Sequence, residues 1–140
     1  MFTLMQRTAL IVSLVYSLLG CGNLNISTGG GGLPNEARPT GTPVKQGQLF
    51  GSGVSGSVLI FLRSGSSYTL RFEGLSLPSQ SNLVAQIYAT PNGLVSTVNL
   101  QFTSGNTNYS FTTPAIGVNF QSVAIYNNQT QTTLGTAQLQ

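Results

Sequence analysis

From Gln48 onward the chain alternates short apolar runs with turn residues at intervals of about ten, the spacing of an antiparallel all-β domain. Val54–Arg63 carries the unbroken run Val58-Leu59-Ile60-Phe61-Leu62. Such a run fits a strand buried on both faces or one crossing a sheet edge. Ser64-Gly65-Ser66 then signals a turn. Tyr68, Leu70 and Phe72 alternate with Thr69, Arg71 and Glu73, which predicts a half-buried strand with its polar side in water. In Leu83–Ala89 the residues Leu83, Ala85 and Ile87 share a face, and Pro91-Asn92-Gly93 marks a tight turn. The runs Leu94–Phe102, Asn108–Thr112, Phe120–Tyr126 and Thr133–Leu139 complete the pattern, with Asn127 and Asn128 turning the last hairpin. Seven or eight short strands without a helical period predict an antiparallel β-sandwich over residues 48–140.

The N-terminal third follows other rules. Residues 1–7 carry one cation, Arg7, and Thr8–Leu19 is an apolar run shorter than the ~20 residues that span a bilayer. Gly22–Gly47 is rich in Gly, Asn, Ser, Thr and Pro and has no apolar period, so it is expected to be a flexible tether in which Glu36, Arg38 and Lys45 are merely solvated. About 26 such residues have an r.m.s. span of roughly 28 Å.

The apolar run ends in Leu18-Leu19-Gly20-Cys21, which resembles the bacterial lipoprotein signal: an aliphatic residue three positions before the cysteine, a small one directly before it, then Cys. The resemblance implies cleavage between Gly20 and Cys21 and acylation of Cys21 by thioether-linked and amide-linked chains. Two or more chains anchor a protein stably where one does not. The expected organisation is therefore a signal peptide over 1–20, a lipidated tether over 21–47 and the β domain over 48–140. Gly22 in place of Asp after the cysteine is compatible with outer-membrane sorting.

Composition narrows the chemistry. The chain has no His, Asp or Trp, its only acids are Glu36 and Glu73, and its single Cys is the one claimed by the anchor. Most general acid–base chemistry draws on imidazole or paired carboxylates, which the chain lacks, and no Gly-x-Ser-x-Gly elbow is present; the expectation is no enzyme. Zinc, copper, haem and iron–sulfur centres lack His, Met or Cys ligands in the mature chain, so no cofactor is expected. Five cations scattered over 140 residues make no stripe for nucleic acid.

What remains is binding through polar strand faces. Arg71 and Glu73, two apart on the polar side of one strand, form either a small polar site or a solvated pair. Tyr88 and Tyr126, with Tyr68 and Tyr109, offer rigid contact area, though such tyrosines also sit at sandwich edges with wet hydroxyls. The uncharged stretch Gln121–Gln140 reads as an edge able to pair with another strand, or as the ordinary outward face of a secreted domain.

Several phrases are similar to the DM13 domain family: Val54-Ser55-Gly56-Ser57-Val58, Leu70-Arg71-Phe72-Glu73-Gly74-Leu75, Asn82-Leu83 to Ile87-Tyr88, Tyr109-Ser110-Phe111, Ser122-Val123-Ala124-Ile125 and Gly135-Thr136-Ala137-Gln138-Leu139. The resemblance implies an extracytoplasmic β-sandwich, often lipid-anchored in bacteria, with a proposed part in electron transfer that rests on a Trp-Cys pair. Here Tyr126 and Asn127 stand at those positions, and Asn neither cycles between thiol and disulfide nor ligates a soft metal. The leading expectation is a membrane-anchored, non-catalytic binding or accessory module for an envelope protein or glycan. An electron-transfer accessory protein and a self-associating surface protein are the alternatives.

Overall fold

The computed structural model describes residues 35–140, so the expected signal peptide, with Gly20 and Cys21, and half of the expected tether lie outside the described residues. The described chain is all-β. Eight antiparallel strands follow one another: β1 Lys45–Gly51, β2 Ser55–Ser64, β3 Ser67–Ser76, β4 Leu83–Thr90, β5 Gly93–Asn99, β6 Ser104–Thr112, β7 Asn119–Asn127 and β8 Thr132–Gln138. They form one nearly closed sheet in the order β5-β4-β7-β8-β1-β2-β3-β6. The two halves meet in β1, whose Lys45–Gln48 pair with β2 and whose Leu49–Gly51 pair with β8. One layer is thus β1-β2-β3-β6 and the other β1-β8-β7-β4-β5, folded over a common core.

Period-two alternation explains the core. Val58 and Ile60 of β2, Leu70 and Phe72 of β3, Ala85 and Ile87 of β4, and Val123 and Ile125 of β7 are fully buried on the inner faces. Tyr68 stacks on Phe111 at 5.5 Å and meets Phe120 edge-on at 4.9 Å, the offset and T-shaped arrangements that the ring quadrupole favours.

Strand β1 had no clear signature. Lys45–Gly51 has only Leu49 and Phe50 as apolar residues and begins inside the segment read as tether. Its glycines have a steric reason: a Cβ on Gly47 would run into the carbonyl oxygen of Gln138, because β1 and β8 approach closely where β1 passes from one layer to the other. At the β4–β5 turn only Gly93 takes a positive φ, +74°, next to the cis Thr90–Pro91 bond; Asn92 does not.

Two expectations are corrected by the fold. Residues 35–44 belong to the folded unit. Asn35 bridges Asn106, Glu36 N–H donates to Asn106 O at 3.0 Å, and Val44 N–H donates to Ile60 O at 2.7 Å. The segment therefore runs from the free edge of β6 over β3 and β2 to β1. The late uncharged stretch is no edge either, since β7 pairs with β4 and β8, and β8 pairs with β7 and β1. The edges are β5 and β6.

Candidate functional site

The strap of residues 35–44 gives one layer a second buried face. In the register of β2, β3 and β6, Leu59 stands opposite Arg71, Arg71 opposite Asn108, and Phe61 opposite Thr69. All of these except Asn108 are buried although they point away from the core: Phe61 is 2 % exposed and Arg71 4 %. The run Val58–Phe61 is buried on both sides for this reason. Arg71, expected in water, is enclosed, and a guanidinium taken out of water requires acceptors. Its Nε donates to Glu73 Oε1 at 2.8 Å, and its Nη1 donates to Glu36 O at 3.0 Å, Ala37 O at 3.2 Å and Asn108 Oδ1 at 3.0 Å. Glu36 closes the arrangement by accepting from Asn108 N–H at 2.6 Å. Arg71 and Glu73 are brought together as expected, but Arg71 is committed to holding the strap.

Arg38 continues the strap outward. Its guanidinium lies 5.9 Å from the centre of the Phe61 ring and 3.8 Å from Glu73 Oε1. Beyond it a groove of about 480 Å³ opens on the outer side of β1, within the size range of ligand sites. Strand alternation puts Gln46, Gln48 and Phe50 on that side, flanked by Ser57 of β2 and by Gln138 and Gln140 at the end of the chain. The Gln48 amide donates to Ser57 Oγ at 2.8 Å, which orients it. Phe50 is 75 % exposed. Glu73 lines the groove and Arg71 does not.

Tyr88 and Tyr126 are placed elsewhere. On the outer face of the opposite layer, Tyr126 stands opposite Val84 and Tyr88 opposite Ser122. Both are half-buried, and Tyr88 Oη donates to Gln86 Oε1 at 3.0 Å. They share a face with each other but not with Arg71 and Glu73. Tyr68 is a core residue, and Tyr109 packs edge-on against Phe72 at 6.1 Å while its hydroxyl accepts from Gln101 N–H at 3.2 Å. Asn127, which the sequence resemblance sets against the DM13 cysteine, is buried. Its Oδ1 accepts from Gln129 N–H at 2.9 Å and Thr130 N–H at 3.1 Å, and its Nδ2 donates to Gln80 Oε1 at 2.9 Å. Here that position holds a turn together.

The groove residues carried one legible signal, the outward phase of Phe50 relative to Leu49 in Gln46–Phe50. The glutamines at the chain's end join them only through the pairing of β1 with β8. Among the described residues no group of three or more His, Cys, Asp or Glu converges on one point. Comparison with protein families, with curated proteins and with solved structures finds no match.

Proposed function

We propose that this chain is a non-catalytic binding module held at the bacterial cell envelope by acylated Cys21. The observation that carries the binding part is the groove over β1. An exposed aromatic ring and the amides of Gln46 and Gln48, the second held by Ser57, lie on a strand whose backbone is paired on both sides, so the side chains face a ligand from a rigid platform. The charged side chains that line it, Arg38 and Glu73, lie beside each other, and the Ser57 hydroxyl there accepts from the Gln48 amide, with no imidazole in the chain to activate it. The anchoring part is supported by Leu18-Leu19-Gly20-Cys21, and the phrases shared with DM13 domains support an extracytoplasmic setting.

The test has two arms, both in the native host. Labelling with an alkyne fatty acid should mark the wild-type chain and not Cys21→Ser, which should leave the membrane fraction; equal labelling of both would refute the anchor. A benzoylphenylalanine photo-crosslinker at Gln48 should form an adduct that one at Ser110, on exposed β6, does not. The absence of any adduct specific to Gln48 would refute the groove as a binding surface.

A further inference from the structure

We propose that the groove over β1 binds an uncharged hexose polymer, with Phe50 as the platform for a sugar ring and the amides of Gln46, Gln48, Gln138 and Gln140 as its hydrogen-bonding rim. The proposal rests on the binding-module reading and names the ligand class of that site.

Four features point to this chemistry. Phe50, next to last in β1 and 75 % exposed in a groove that four glutamines line, presents an apolar face of the size of a pyranose ring. A carboxamide both donates and accepts, as a sugar hydroxyl does, and one of these amides is already held in place by Ser57. The charged side chains that line the groove, Arg38 and Glu73, are of opposite sign and 3.8 Å apart, so they present no block of like charge to a phosphate, a uronate or a basic peptide.

The backbone supplies the fourth feature. An extended peptide is normally recognised by main-chain pairing to a free strand edge, and β1 has none. Lys45–Gln48 pair with β2, Leu49–Gly51 pair with β8, and Gln46 exchanges both backbone hydrogen bonds with Gln140, at 3.2 and 2.9 Å. Recognition here falls to side chains alone, which suits hydroxyls and a ring face. Two other concavities among the described residues, one around Ser79 and Gln80 with Thr130 and Thr132 and one around Lys45 with Asn119–Ser122, present no exposed aromatic ring.

The experiment is calorimetric titration of the full chain, held in a zwitterionic detergent without a sugar headgroup, with cellohexaose, maltohexaose, N-acetylglucosamine hexamer and hexagalacturonate. At least one neutral oligomer should bind, with an affinity that changes by less than about twofold between roughly 50 and 500 mM salt, as expected where no net charge is paired. Phe50→Ala should weaken it about tenfold or more and Gln48→Ala severalfold. Both positions are exposed, so the variants should keep the wild-type circular dichroism and melting temperature. The proposal is overturned if no neutral oligomer binds at about 10 mM, if Phe50→Ala binds like wild type, or if hexagalacturonate binds more tightly than the neutral oligomers. A Gln48 photo-adduct without sugar binding would refute the glycan and leave the binding module standing, whereas neither signal would refute both.

Discussion

Arg71 of β3 donates from Nη1 to the carbonyl oxygens of Glu36 and Ala37, at 3.0 and 3.2 Å, across 35 and 34 positions of sequence. This contact ties the chain that enters the domain to the sheet's outer face, and it makes Leu59 and Phe61 interior residues. It also builds one wall of the groove, because Arg38 follows directly on the tied residues.

Arg71→Leu removes the donor and leaves the Glu36 carbonyl and the Asn108 amide oxygen without their partner, while Ala37 O keeps its bond from Asn108 Nδ2 at 2.8 Å. Bonds to a charged donor are worth about 1.5–3 kcal/mol each when broken singly, but Glu73 is partly exposed and water reaches it, so the net loss should be about 2–4 kcal/mol. Chemical unfolding measures it. Hydrogen exchange should show the amides of Glu36 and Asn108 losing protection before the core strands do. A strap that stays protected in Arg71→Leu would refute the tie.

Phe61 and Leu62 are adjacent in a single apolar run, yet their burial differs: Phe61 is 2 % exposed and Leu62 52 %. Phe61→Ala should destabilise by about 3 kcal/mol or more, like a core truncation, and Leu62→Ala by less than about 1 kcal/mol. Equal effects in thermal unfolding would show that the strap does not cover β2.

Gly47→Ala places a methyl group against the backbone of β8, where nothing flexible can yield. The expected cost is about 2–3 kcal/mol, with loss of the Gln46–Gln140 amide protection. Gly65→Ala, at a turn with φ +54° and open space around it, should cost only about 1 kcal/mol. Reversed magnitudes would contradict the close approach of β1 and β8.

Asn127→Ala deletes a side chain that accepts from two backbone amides and donates to Gln80, and should destabilise by about 1–3 kcal/mol. Asn127→Asp keeps both acceptor bonds and loses one donor, so its loss should be the smaller of the two. If both variants unfold at the same denaturant concentration, the turn does not depend on the Oδ1 acceptor.

Local patterning settled a good deal without any structure. The alternation of Tyr68, Leu70 and Phe72, and of Leu83, Ala85 and Ile87, depends only on the two-residue period of a strand, and these residues are core. Turn chemistry at Gly65 and Gly93 likewise acts over a few residues. The missing His and Asp limited the available chemistry through composition alone.

Tertiary structure decided what the polar positions do. Arg71 has the phase of a solvated residue and is buried because a segment over 30 residues upstream lies across it, a cover that no short-range period encodes. The stretch Gln121–Gln140 has the composition of an edge and forms interior strands, since strand order depends on which elements close the core and not on any one strand's sequence. The groove joins Gln46–Phe50 to Gln138 and Gln140 for the same reason. Pairing β1 with the last strand brings together residues that lie almost 90 positions apart, and only the closing of the sheet makes them neighbours.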